Sequence, residues 1–126
     1  MEPPLVDFQS RSFQFACEIV RFYKQISPTI PLAIARQVLR SGTSIGANLE
    51  EAKAAQSRRD LRAKFTIALK EARETHYWLR LIEATSLAAP GATKSTLREA
   101  NELVSILTAS VIALRREDAD GKTPTP

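Results

Sequence analysis

The sequence predicts an all-α fold, an antiparallel up-down four-helix bundle, and three observations carry that prediction. Apolar residues recur at helical spacing in four separate segments. The breaks between the segments are short and marked by proline, glycine or capping residues. No apolar/polar alternation of period two is long enough for a strand.

In the first segment Phe8, Phe15, Ile19, Phe22 and Ile26 share one helix face, with Ser12 filling the gap in the stripe, and Ser27, Pro28 and Pro31 end it. In the second, Ile34, Val38, Ile45, Leu49 and Ala52 follow the same steps with Ser41 at the missing position, which places Gly42 and Gly46 inside a helix. The third runs Leu61, Phe65, Ala68, Ala72, Thr75, Leu79 and Ile82, with Ser57 and Asp60 spaced as a capping box at its start. The fourth runs Leu97, Ala100, Val104, Leu107, Val111 and Leu114 after the breaker APGATKST, where Thr96 and Glu99 offer a second capping pair. The expected helices cover about 8–26, 32–55, 58–85 and 96–116, between an N-terminal tail, 1–7, and a polar, proline-containing tail, 117–126, read as disordered. Short connections force neighbours to run in opposite directions.

The chain has 126 residues, the size of one domain, with 44% hydrophobic and 25% charged residues. No apolar run reaches the roughly 18 residues of a membrane span. The start MEPPLVDFQSR lacks the basic and apolar regions of a secretory signal. The single cysteine, Cys17, lies among Phe15, Ala16, Ile19 and Val20, which suggests a buried thiol in a reducing compartment. A cytoplasmic location is the expectation.

Apolar residues exceed what one stripe per helix needs. Phe13, Ala16, Val20 and Tyr23 form a second stripe on the first helix, and Leu39, Leu69, Trp78, Leu81, Leu103 and Ile106 flank the stripes elsewhere. The surplus fits either a wide core face or a subunit interface.

The formal net charge is +4, and it is unevenly placed. Residues 28–83 hold 10 Lys and Arg against 6 Asp and Glu, whereas the segments on either side are balanced. The densest cluster is Lys53, Arg58, Arg59, Arg62 and Lys64, interrupted by Asp60. These five are the candidate nucleic-acid contacts, although such clusters also occur on plain solvated helices.

Gly42-x-x-x-Gly46 is not a phosphate loop, which needs a longer spacing, a terminal Gly-Lys-Ser/Thr and a preceding strand. Each helical glycine costs roughly 1 kcal/mol against alanine, and close packing is what small residues return for it. Ser41, Gly42, Ser44, Gly46, Asn48 and Trp78 are accordingly candidates for helix packing or an interface. A di-iron bundle would need two Glu-x-x-His pairs, but the sole histidine, His76, follows Arg73. One Cys and one His cannot complete a zinc site. No metal, cofactor, small-molecule substrate or catalytic residue is expected. Glu50, Glu51, Glu71 and Glu74 lie beside Lys and Arg, and salt bridges on the helix surface explain them. Tyr77 and Trp78 could stack on bases, but about five helical turns, roughly 27 Å, separate them from the arginine cluster.

The stretches LRSGTSIGANLEEA, Leu39 to Ala52, and KFTIALKEARETHYWLRLI, Lys64 to Ile82, resemble the 23S rRNA intervening-sequence protein family, also called the four-helix-bundle protein family. Arg40, Ser41, Ser44, Asn48 and Glu50 match its pattern in the second helix, and Glu74 in the third. Glu51-Ala52 departs from the family's frequent Glu-Gly, and would let the second helix run straight toward Ser57. The resemblance implies a bundle assembled as a ring-shaped homopentamer with a basic surface. A related accessory protein of diversity-generating retroelements binds nucleic acid and a reverse transcriptase. The expectation is therefore a non-enzymatic, oligomeric bundle that binds nucleic acid, structured RNA in preference, through Lys53, Arg58, Arg59, Arg62 and Lys64. The alternative is a scaffold that docks a partner protein such as a reverse transcriptase.

Overall fold

Four helices and no strand make up residues 5–120, which the computed structural model describes, with the side chains described from residue 8 onward. They are α1 (Leu5–Ile26), α2 (Leu32–Ala52), α3 (Arg58–Ala84) and α4 (Lys94–Ala119). Consecutive helices pack as neighbours, and α1 meets α4 far less extensively than any consecutive pair meets. Phe15 and Ile19 of α1, Val38, Ile45 and Leu49 of α2, Leu79 and Ile82 of α3, and Leu103 and Leu107 of α4 are fully buried between them.

The small residues of α2 set its distance from α1. A Cβ on Gly42 would lie 2.7 Å from Ile19 Cγ1, and one on Gly46 would lie 3.3 Å from the Ser12 carbonyl oxygen. The α2–α3 contact carries a polar pair instead: Thr75 Oγ1 lies 2.9 Å from Ser41 Oγ. Each of these hydroxyls also reaches the carbonyl one turn back, Glu71 and Gln37. Among the described residues no buried side-chain polar atom lacks a partner, so these hydroxyls carry no desolvation debt.

The helix ends depart from the sequence expectation in four places. Residues 5–7 are helical where a tail was expected. α2 stops at Ala52 rather than running on toward Ser57: Lys53, Ala54 and Ala55 bond three residues back, and Ser57 turns extended to cap α3. Its hydroxyl accepts from the Asp60 amide, while Asp60 accepts from Gln56 rather than closing the reciprocal box. α4 starts at Lys94, so Thr96 is buried inside the helix and not its cap. α4 also continues to Ala119, which makes residues 117–119 helix and not tail. The rest of the expected tails, 1–4 and 121–126, lies outside the described residues. α3 ends in a Schellman arrangement, with Ser86 left-handed at φ 55° and Leu87 N–H donating to the Ile82 carbonyl.

Candidate nucleic-acid interface

The arginine cluster sits on the first turns of α3, and the fold brings acids to it. Arg58 donates from Nη2 to Glu117 at 2.7 Å and from Nε to Asp118 at 3.0 Å. Arg62 also bonds Asp118. Lys64 pairs with Glu51 at 2.7 Å, and Lys53 with Glu50 at 3.5 Å. Four of the five predicted phosphate contacts therefore hold carboxylates within the chain, and only Arg59 has no described partner. This qualifies the sequence reading: the cluster is locally basic but locally neutralised as well. The arginines hold the Asp118 carboxyl below the usual range, chiefly through the Arg58 hydrogen bond.

Positive charge without a described partner lies elsewhere. On the outward face of α3, Arg59, Lys70, Arg73 and Arg80 are exposed at helical spacing, a row of about 32 Å. Tyr77, 49% exposed, stands within the row, and the Arg80 guanidinium lies 6.0 Å from its ring centre. Ser41–Thr75 and Glu51–Lys64 contacts pair α2 and α3 residues whose numbers sum to 116 and 115, which sets Arg36 level with Arg80. That end of the bundle, formed by the α1–α2 and α3–α4 turns, also carries exposed Arg21, Lys24, Lys94 and Arg98. None of these makes an ion pair with a described carboxylate. A shallow cleft of about 350 Å³ between α3 and α4 is lined there by His76, Glu83, Lys94, Leu97, Arg98 and Asn101. Burial and then Arg80 push the His76 pKa down, which favours the neutral ring.

Why this row is free is a matter of where the acids go. Glu74, one turn from Lys70, instead takes Arg40 of α2 and the Trp78 Nε1–H at 3.0 Å. Glu71 likewise accepts from Arg40 at 3.1 Å. The expected Glu71 and Glu74 salt bridges thus form between helices rather than along one. Ser44 and Asn48 bond within α2, to the Arg40 and Ser44 carbonyls, and Trp78 is half-buried against the core. Lys70, Arg73, Arg80 and Arg36 were not selected from sequence; their spacing on the polar side of the helices was the available signal.

The Arg40–Glu74–Trp78 link makes stability pH-dependent. Arg40 first, then Trp78, hold the Glu74 carboxyl below its ordinary value of 4.5. A depressed carboxylate contributes stability that is fully present above the unfolded pKa and is lost as pH falls through the folded one. Urea midpoints should therefore drop as the pH falls below about 4.5, and Glu74→Gln should flatten part of that fall. An unchanged profile would remove the link from the account of stability.

On the α1 side, Phe13 is 64% and Val20 43% exposed, two turns apart on one face, while Ala16 and Tyr23 are half-buried. Cys17, expected to be buried, is half-buried beside them. Arg11 ties α1 to α4 through a two-pronged contact with Glu99, 2.6 and 3.0 Å. No helix among the described residues is long and apolar enough to cross a membrane.

Comparison with known proteins adds two findings. The family model for the 23S rRNA-intervening sequence protein matches residues 6–109. The fold is similar to the crystal structure of a protein of unknown function from the S23 ribosomal protein family of Bacteroides thetaiotaomicron. The TM-score is 0.74 at 40% identity, over 82% of this chain and 96% of that one. No curated protein matches the chain significantly.

Proposed function

This chain belongs to the 23S rRNA-intervening sequence protein family, and from that premise we propose that it is a non-enzymatic, oligomeric helical bundle that binds nucleic acid, structured RNA in preference. The observation that carries the proposal is the exposed row of Arg59, Lys70, Arg73 and Arg80 on α3 without described carboxylate partners. Cations at that spacing contact successive phosphates, which sets affinity and orientation without reading sequence. Arg36, Lys94 and Arg98 extend the same field around one end of the bundle. Several copies in one assembly multiply a weak patch into useful avidity. Catalysis and cofactors play no part in this reading, and the cytoplasm is its setting.

Fluorescence anisotropy against an RNA hairpin, single-stranded RNA and duplex DNA tests the proposal. Affinity should fall about 10³-fold or more between 50 and 200 mM salt if six or more phosphates are engaged across an assembly. Absence of binding at low salt would end the nucleic-acid reading.

Self-association is proposed through the α1 face, because Phe13 and Val20 leave an apolar strip uncovered beside the small α1–α4 contact. Light scattering should give a multiple of the 14.0 kDa chain mass. Phe13→Ser with Val20→Ser should return it to one chain with helix content intact. A single-chain mass for the parent would remove oligomerisation. The same strip supports the second reading, a scaffold for a partner protein such as a reverse transcriptase, whose binding salt should hardly weaken.

A further inference from the structure

We propose that Arg58 and Arg62 form a phosphate site that the chain closes on itself, with Glu117 and Asp118 standing in for the phosphate. The acidic end of α4 then competes with nucleic acid for the first turns of α3. This rests on the nucleic-acid reading above and adds a second, masked contact to it.

Three observations support the competition. First, the geometry is that of anion recognition. Two guanidinium groups converge on the Asp118 carboxylate, and Arg58 takes Glu117 as well at 2.7 Å. Planar guanidinium forks bind phosphate oxygens in the same way. Both arginines remain open to solvent, at 39% and 35% side-chain exposure, so a ligand can reach them. A shallow cleft of about 350 Å³ beside Arg58, between Ala52 and Leu61, leaves room for the neighbouring sugar.

Second, the acids stand where a helix disfavours them. Glu117 and Asp118 occupy the last turn of α4, whose free carbonyls and dipole favour cations, as at Arg116. What holds them there is the pairing with Arg58 and Arg62. Third, the segment that must move is loosely anchored. Beyond Val111 no residue of α4 is fully buried, and after Leu114, which still packs against the core, the last turn can lift without opening it. Exposed ion pairs are weak enough for a polyanion to displace.

The test is Glu117→Gln with Asp118→Asn in the full chain, titrated with a labelled RNA hairpin at several salt concentrations. Affinity should tighten about three- to tenfold, and the slope of log K against log salt should steepen by about 1 to 2, since each phosphate engaged adds about 0.9. Adding Arg58→Gln and Arg62→Gln to that chain should cancel the gain. Glu18→Gln with Glu102→Gln removes equal charge at the α1–α4 contact, outside the proposed phosphate contacts, and should not steepen the slope. An unchanged slope in the first variant, or the same steepening in the second, overturns the masked site. Binding by the parent with no change in the variant would sink this inference alone; no binding by either would sink the nucleic-acid reading with it. Should the variant fold poorly by circular dichroism, amide exchange in the parent decides. RNA should speed exchange at residues 117–119, and unaltered exchange in a bound complex overturns the proposal.

Discussion

A Gly42→Val chain should fail to reach the native bundle, and Gly42→Ala should lower stability by about 1–3 kcal/mol, the usual range for overpacking. A Cβ at this position would meet three atoms of Ile19, at 2.7, 2.9 and 3.0 Å. Ile19 is fully buried and β-branched, with one strongly preferred χ1 in a helix, so moving Cγ1 and Cγ2 away is costly. Helix propensity works the other way, favouring alanine by about 1 kcal/mol, so a net loss means that the α1–α2 contact has won. Urea unfolding followed by circular dichroism measures it. Ile19→Ala should cost less in the Gly42→Ala chain than in the parent, because the two residues share one space. Gly46→Ala should be milder: its Cβ would stand 3.3 Å from the Ser12 carbonyl oxygen, tight but not overlapping. A Gly42→Ala chain as stable as the parent would remove close approach as the reason for glycine.

The second large effect concerns binding. Lys70→Glu, Arg73→Glu and Arg80→Glu together should weaken RNA binding by more than about 100-fold near physiological salt, each lost contact flattening the salt slope by about 0.9. Helix content should be unchanged, because all three side chains are exposed and none has a described ion-pair partner. Arg58→Glu with Arg62→Glu should behave differently. It sets four carboxylates against one another where α3 meets the end of α4, so stability near that end should fall while binding falls less than in the triple variant. Equal loss of binding in the two variants, without loss of stability in the second, would return the principal contact to the sequence cluster.

The contrast shows how far each level reaches. The helix stripes were legible because burial on one face imposes a local period: Phe15, Ile19, Ile45, Leu79 and Leu107 are buried at the positions that period selects. Gly42 and Gly46 were legible as packing residues for a local reason too, since a helical glycine is a cost that needs a return. Helix ends were less so. Thr96 and Glu99 looked like a cap, but the buried environment of Thr96 outweighed its capping preference and let α4 start earlier, at Lys94.

Charge was the least legible, because a side chain is neutralised by whatever folds against it. Glu74 lies one turn from Lys70 on the same helix, yet it turns to Arg40, 34 residues away. Arg58 and Arg62 seemed free, yet their acids arrive from 56 to 60 residues further on. By itself the sequence determined four amphipathic helices, their order, their antiparallel sense and the thin face of α2, all of which follow from local periodicity and short connections. Only the tertiary structure decided which cations stay free for a partner, because ion pairing depends on distances of a few ångströms between helices that the sequence holds far apart.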